Sequence, residues 1–325
     1  MKMLDRTRIT GALDLKKLDK MKHCLTQDTT GTQIWIVSAT NKVYLYESGE
    51  VLGFEMPSVT RLQYDATRMK TAPFAHGIWV QSPEYGALRL TRDGFEALHD
   101  EPSEYNTRAL ACDHAGEELL LLNRDGALIR YDGRGEQLAS ALPAEYMKLP
   151  ISAAERQMLG INADYEILAT LKHVAVRHRE GTSAPKKTTV PWYDRFLLDG
   201  NVVRMHDSYK YTELALDDLS MTKIDLQTLT ERSTDLRAID FRSGTFLLQG
   251  RNDSSAYWLG KVDFESREVS VHPLQDALGS KRLGRVTHLV DHTSEGGLIW
   301  FESGGLPSSR FLVFDAKGKS AKVKG

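Results

Sequence analysis

The sequence predicts an all-β chain, in which about seven four-stranded sheets follow one another in one domain. Short apolar runs recur at a nearly constant spacing, a turn rich in Asp, Ser and Gly precedes most of them, and a second apolar run follows. Continuous apolar runs are typical of strands buried on both faces, and Asp, Ser and Gly between such runs are typical of hairpins. Together these observations predict a repeat architecture.

The apolar runs set the length of the repeat. Three of them contain a tryptophan, at Trp35, Trp79 and Trp300, and four similar runs lie between the last two, at 119–122, 165–168, 212–216 and 245–248. Trp35 and Trp79 are 44 residues apart, and the 265 residues from Trp35 to Trp300 make six steps of about the same length. This is the length of one blade of a β-propeller, so the sequence predicts a single β-propeller of about seven blades, with six or eight left open. The tryptophans are predicted to pack between blades.

The turns and the third strands carry a resemblance to a known superfamily. Asp113-His114-Ala115-Gly116 precedes one apolar run, and the third strand Leu312-Val313-Phe314 ends in Asp315. On such features residues 21–325 resemble the β-propeller superfamily, in particular its WD40-like and quinoprotein-like groups. The chain has no Gly-His pair before the strands, no Trp-Asp pair after the third strand and no tryptophan-docking signature of cofactor-binding quinoproteins. The resemblance therefore implies the fold and not a specific function.

The predicted domain limits are an N-terminal extension at 1–20 and the β-propeller at 21–325, with an insertion in the fourth blade at about 177–211. Helical segments are expected at 13–21 and at 151–159. The last blade is expected to hold all its own strands within 286–324, with closure by packing between the first and last blades and the N-terminal segment covering an edge. The alternative is that residues 5–12 complete the last blade.

Composition disfavours several classes of protein. The 325 residues carry a formal net charge of −2, which argues against general binding of polyanions. The N-terminus lacks an apolar run after its charges, so no secretory signal is expected, and no stretch approaches the roughly 20 apolar residues of a membrane span. Cys24 and Cys112 are too few for a disulfide framework or a zinc site and are predicted to be buried thiols. The sequence predicts a cytoplasmic protein that does not bind membranes.

Few residues suggest catalytic or metal chemistry. The ten histidines are scattered, and His114 and His292 each follow an Asp in matching positions, which predicts that both are turn residues. No Gly-rich loop follows a strand and opens a helix, so nothing points to a bound nucleotide. The sequence predicts no catalytic residue, no metal site and no cofactor.

The loops between the second and third strands of each blade are the predicted binding surface, because they differ in length and charge from blade to blade. The candidate partner-binding residues are Lys42, Tyr85, Arg124, Asp125, Asp217, Asp218, Arg251, Asn252 and Asp253. Arg and Tyr are frequent anchors of protein interfaces. The sequence thus predicts a non-enzymatic protein-interaction module or scaffold subunit. Analogy with bacterial propellers that lack WD signatures suggests an AAA+ ATPase or a von Willebrand factor A protein as the partner.

Two other functions stay open at this point. A propeller hydrolase or lyase would need carboxylates that converge on the central channel, for which the acidic members of the predicted surface are candidates. A nucleic-acid-associated subunit would use the lysines of the insertion and of the C-terminal tail. Those lysines are not interleaved with aromatic residues, which disfavours nucleic acid as a partner.

Overall fold

The described secondary structure is entirely β-strand. The structure is a computed structural model, and it describes residues 2–4, 7–9, 23–30, 32–38, 42–47, 50–55, 70–101, 103, 107–123, 126–138, 158–180, 184–193, 195–207, 210–225, 236–242, 245–250, 257–262, 266, 269–273, 285–293, 296–302, 310–314 and 320–321. In these ranges, no helix is long and apolar enough to cross a membrane.

Thirty strands, β1 to β30, form seven antiparallel sheets among the described residues. The first sheet consists of β2 (Thr7–Ile9), β3 (His23–Gln27), β4 (Gln33–Ser38), β5 (Lys42–Glu47) and β6 (Glu50–Glu55). The second consists of β1 (Lys2–Leu4), β7 (Thr71–Phe74), β8 (Gly77–Ser82), β9 (Gly86–Thr91) and β10 (Phe95–Ala97). The third consists of β11 (Thr107–Cys112), β12 (Glu118–Asn123), β13 (Leu128–Asp132) and β14 (Gln137–Leu138).

The other four sheets each take four consecutive strands. The fourth consists of β15 (Met158–Ile161), β16 (Tyr165–Ala169), β17 (His173–His178) and β18 (Lys186–Thr189). The fifth consists of β19 (Arg195–Asp199), β20 (Val202–His206), β21 (Lys210–Ala215) and β22 (Met221–Asp225). The sixth consists of β23 (Leu236–Arg242), β24 (Thr245–Gly250), β25 (Tyr257–Val262) and β26 (Val269–Pro273). The seventh consists of β27 (Arg285–Thr293), β28 (Gly296–Glu302), β29 (Arg310–Phe314) and β30 (Ser320–Ala321).

The N-terminal segment adds a fifth strand to each of two sheets. β1 runs antiparallel to β10 with Met3 opposite Glu96, and β2 runs antiparallel to β6 with Arg8 opposite Phe54. The segment therefore covers the outer edges of the second and first sheets, in line with the expected role of edge cover. The alternative, in which residues 5–12 complete the last blade, is wrong, because β2 pairs with β6 and the seventh sheet is built from residues 285–321.

Six of the seven apolar runs occupy the second strand of a sheet, which is the position predicted by a hairpin before the run and a third strand after it. They lie in β4, β8, β12, β16, β24 and β28. The run at 212–216 does not, because β21 is the third strand of the fifth sheet. The missing strands, β19 and β20, lie within 177–211, where we expected an insertion. Gly200, with φ of 54°, makes the turn between them. These residues thus continue the strand pattern instead of interrupting it.

The two expected helices have different outcomes. The candidate at 13–21 lies outside the described residues. Residues 151–157 of the second candidate also lie outside them, and its last two residues, Met158 and Leu159, begin β15. For these two residues the helical expectation is wrong.

The chain divides into two compact units, Met1–Leu13 with Met21–Trp192 and Leu216–Leu219, and Asp14–Lys20 with Tyr193–Ala215 and Ser220–Gly325. In the first unit, side chains of the first two sheets form a shared core that includes Trp35, Phe54 and Phe95. Trp35 and Trp79 are fully buried, which confirms their predicted packing role. Trp300 lies in β28, and its side chain is outside the described part. The limits at 20/21 and the number of blades stay predictions.

Candidate functional site

Each sheet has two ends, and its connections alternate between them. The turns from the first to the second strand and from the third to the fourth strand lie at one end, which we call the turn end. The loops from the second to the third strand and the connections to the next sheet lie at the other, the loop end. In the fourth sheet a hydrogen bond joins the two connections of the loop end, from the Val190 amide to the Lys172 carbonyl at 2.8 Å.

The predicted surface residues differ in position and burial. Lys42 is the first residue of β5 and is half-buried there. Tyr85 lies between β8 and β9 but is only 5% exposed and belongs to the core shared by the first two sheets. Its predicted role as a surface anchor is therefore wrong, because the adjacent sheet covers its ring. Arg124, Asp125, Arg251, Asn252 and Asp253 lie outside the described residues.

Asp217 and Asp218 lie at the turn end and not at the loop end. They are exposed in the turn from β21 to β22, which joins a third strand to a fourth. The prediction is wrong because the repeat pattern places the run at 212–216 in a second strand, whereas β21 is the third strand of its sheet. The Asp199-Gly200 pair after an apolar run was the hairpin signal that would have corrected the phase.

Asp217 takes part in contacts with the fourth sheet. The Tyr165 hydroxyl donates a hydrogen bond to its carboxylate, and the Lys186 ammonium donates to its backbone carbonyl at 2.8 Å. The bond to the carboxylate raises the pKa of Tyr165 above its usual value, with smaller contributions from desolvation and nearby acids. The rings of Tyr165 and His178 also pack edge to face, with ring centres 5.2 Å apart. These contacts give Asp217 a structural role.

Asp28 organises the turn end between the first two sheets. Its carboxylate is fully buried and accepts hydrogen bonds from the Gln33 amide at 2.8 Å and the His76 amide at 3.1 Å, and from the hydroxyls of Thr30 and Thr32. His76 belongs to the turn of the second sheet, so this carboxylate links two sheets. A buried carboxylate with several donors is a rigid structural element.

Asp113 occupies the corresponding place in the third sheet. Its carboxylate accepts the Glu118 amide at 3.0 Å, just as Asp28 accepts the amide of the residue five positions later. The carbonyl of His114 accepts a hydrogen bond from the Ala75 amide of the second sheet at 2.7 Å. His114 is an exposed turn residue, as predicted, whereas His292 lies in β27 and not in a turn.

Charged side chains link the third and fourth sheets. Glu118 faces both Arg130, at 3.7 Å, and Arg179, and Arg130 also lies 3.4 Å from the buried carboxylate of Glu166. Paired charges of this kind avoid the cost of a lone buried charge. The network fixes the relative position of two neighbouring sheets.

Two further titratable groups have raised pKa values. The thiol of Cys112 lies 3.2 Å from the carbonyl of Pro73, and burial raises its pKa well above the usual value, so it stays protonated. Cys112 is half-buried against the core of the second and third sheets, so it is less buried than predicted, and the side chain of Cys24 is outside the described part. In the second unit, burial first and then a hydrogen bond of 2.7 Å to Glu213 raise the pKa of the Tyr211 hydroxyl. In the described ranges, no three His, Cys, Asp or Glu side chains are grouped as metal ligands.

Trp192 was not among the predicted surface residues, yet it is the most exposed large apolar side chain in the described part of the chain. It is 52% exposed, whereas Val190 is 4% exposed and Tyr193 is 1% exposed. It lies in the connection between β18 and β19, at the loop end of the fourth sheet. In the sequence, the feature that could have pointed to Trp192 is an aromatic pair directly after Pro191, in a segment without strand periodicity.

Comparisons with known proteins identify the fold. No family model matches the chain, and no curated protein matches it. The WD40 domain of Neurospora crassa Pan2 matches with a TM-score of 0.53 at 13% identity, over 92% of this chain and 93% of that one. U3-55K matches with a TM-score of 0.55 at 10% identity, over 95% and 98% of the two chains. BamB from Moraxella catarrhalis matches with a TM-score of 0.51 at 8% identity, over 91% and 85%. The chain therefore has the β-propeller fold.

Proposed function

We propose that this chain is a non-enzymatic protein-interaction module, a scaffold subunit whose partner docks at the loop end of its sheets. The observation that carries the proposal is the exposure of Trp192, 52% of whose surface is accessible at that end of the fourth sheet. Tryptophan is among the residues most enriched at the energetic centres of protein interfaces. Binding of a partner would remove the exposed apolar surface of this indole from water, which favours association.

The backbone around Trp192 is held in place before any partner arrives. The amide of Val190 is bonded to the carbonyl of Lys172, and Val190 is buried. Pro191 restricts the backbone immediately before the indole. A side chain displayed on a fixed backbone loses little conformational entropy on binding, which favours affinity.

The rest of the proposed surface comes from the sequence. Lys42 lies at the loop end of the first sheet. We propose that partner-binding residues also include Arg124, Asp125, Arg251, Asn252 and Asp253. The partner is a protein, and fold analogy suggests an AAA+ ATPase or a von Willebrand factor A protein. The composition, with only two cysteines in the chain, supports a cytoplasmic location.

The test uses the partner that co-purifies with the tagged full-length chain from its native host. Titration calorimetry with that purified partner should show that Trp192→Ala weakens binding by roughly 30-fold or more, which corresponds to about 2 kcal/mol. Met221→Ala is the matched control, because Met221 is also an exposed large apolar residue, 37% exposed, but lies at the turn end of the fifth sheet. A loss of affinity in the Met221 variant with none in the Trp192 variant would contradict the proposal.

A further inference from the structure

The outer edges of the first two sheets are covered by the chain's own N-terminal segment. β1 and β2 are three residues long each and are separated only by Asp5 and Arg6. Each pairs with the outermost of the four other strands of its sheet, β10 and β6 respectively. Two short strands on two neighbouring sheets form few backbone hydrogen bonds, so their release is a small local event.

The strands beneath this segment need a cover. Phe54 in β6 is 3% exposed and Phe95 in β10 is 0% exposed, and their rings meet edge to face with centres 5.8 Å apart. An apolar outer strand with an unpaired edge is a template for pairing with another chain. The outer edges of β6 and β10 are therefore suited to accept a strand, and they carry one.

The chain between this segment and the first sheet is long enough to reach another molecule. Residues 10–22 connect β2 to β3, and thirteen residues span at most roughly 45 Å when fully extended. Exchange of an identical segment between two copies preserves every backbone pair that the segment makes within one copy. The exchanged and closed forms therefore differ little in enthalpy, and protein concentration decides between them.

We propose that the outer edges of β6 and β10 form a strand-docking site for residues 2–9 of a second copy, so that the chain self-associates by exchange of its N-terminal segment. The site is remote in sequence from Trp192 and does not depend on the proposed partner. Its occupant is specified by the register, in which Met3 stands opposite Glu96 and Arg8 opposite Phe54.

Disulfide trapping in the full-length chain tests the proposal. Opposed residues of antiparallel strands have Cα atoms about 4.5–5.5 Å apart, a separation that a disulfide can bridge. The double variant Met3→Cys/Glu96→Cys should form the bond within one chain. A mixture of the two single variants should form a disulfide-linked heterodimer whose yield rises with protein concentration. Met3→Cys mixed with Lys187→Cys is the matched control, because Lys187 is exposed on the outer strand of the fourth sheet, and each single variant alone reports bonds to Cys24 or Cys112.

Each outcome bears on the proposal. A bond within the double variant but no heterodimer at any concentration would show that the segment stays with its own chain and would overturn exchange. No bond in either case would overturn docking on β10. A synthetic peptide of residues 1–10 should suppress the heterodimer, and the same peptide with Met3→Pro and Leu4→Pro should not. Successive amides of a strand point to opposite sides, so one of two consecutive prolines always removes an amide that faces β10. Equal suppression by an unrelated extended peptide would overturn the second copy as the specific occupant.

A second measurement keeps the test valid if a cysteine variant does not fold. Sedimentation of the unmodified chain should show a dimer that increases with concentration, and Met3→Pro/Leu4→Pro in the full chain should lower the dimer fraction, because β1 can then no longer pair with β10. A dimer that persists unchanged in the proline variant would contradict strand exchange.

Discussion

The second and fourth sheets differ at their outer edges. In the second sheet the outer strand β10 is apolar, with Phe95 and Ala97 at 0% exposure, and β1 covers its edge. In the fourth sheet the outer strand β18 exposes Lys186, Lys187 and Thr189, and no strand in the described part of the chain pairs with its outer edge. Both sheets otherwise have the same order of strands.

This difference shows two ways of preventing an outer strand from pairing with another molecule. Lysines on an exposed edge oppose association because pairing would bring their charges together and remove them from water. The apolar strand β10 has no such charges, and in this sheet β1 covers its edge. In these two sheets the composition of the outer strand thus matches the presence or absence of a fifth strand.

Phe95→Ala is the substitution with the largest expected effect on this comparison. Emptying the site of a fully buried Phe should lower the free energy of unfolding by about 3–5 kcal/mol. Thr189→Ala on the exposed outer strand of the fourth sheet should change it by less than about 0.5 kcal/mol. Urea denaturation of both variants measures the difference. Equal effects would mean that the two outer strands are equally buried.

Valine substitution of the two edge lysines should affect association more than stability. Lys186→Val/Lys187→Val removes the charges that protect β18 and adds residues that favour strands. We expect the unfolding free energy to fall by about 1 kcal/mol, because Lys186 loses its hydrogen bond to the Asp217 carbonyl, and light scattering to increase clearly with concentration. Lys172→Val changes an exposed lysine that is not on an edge strand and should leave the scattering unchanged. Scattering that rises equally in both variants would contradict the role of the edge.

His99 gives the second sheet a pH dependence of stability. Burial lowers the pKa of His99 below its usual value of 6.5, and nearby Asp100 opposes this shift. The unfolded chain then binds the proton more readily than the folded one, so the free energy of unfolding falls as the pH drops below about 6.5. His99→Gln should remove this part of the pH dependence, as measured by denaturation at a series of pH values. His178→Gln, at an exposed position in the fourth sheet, should retain it.

The strand repeat was readable from the sequence because it rests on local patterns. Apolar runs and turn residues identified the second strand in six sheets. In the fifth sheet the phase was lost, because the polar stretch before Arg195 obscured the hairpin at Asp199-Gly200. β1 and β2 carry no periodic signal of their own, since three residues are too few to show a period of two.

The surface was less predictable than the fold. The burial of Tyr85 depends on the adjacent sheet, which no local pattern around that residue reports. Trp192 lies in a connection that has no strand pattern, so its exposure follows only from the three-dimensional arrangement. Sequence patterns specify strands well, whereas exposure depends on contacts between residues that are distant in sequence.

Residue-resolved amide hydrogen exchange tests the central contrast most directly. If β1 covers the edge of β10, amides of Phe95 or Glu96 that point outward are hydrogen-bonded and should exchange slowly, whereas outward amides of β18 at Thr188 or Thr189 should exchange quickly. Met3→Pro/Leu4→Pro should speed exchange in β10 and leave β18 unchanged. Equal protection of the two edges, or β10 amides that exchange as fast as those of β18 in the unmodified chain, would contradict this account.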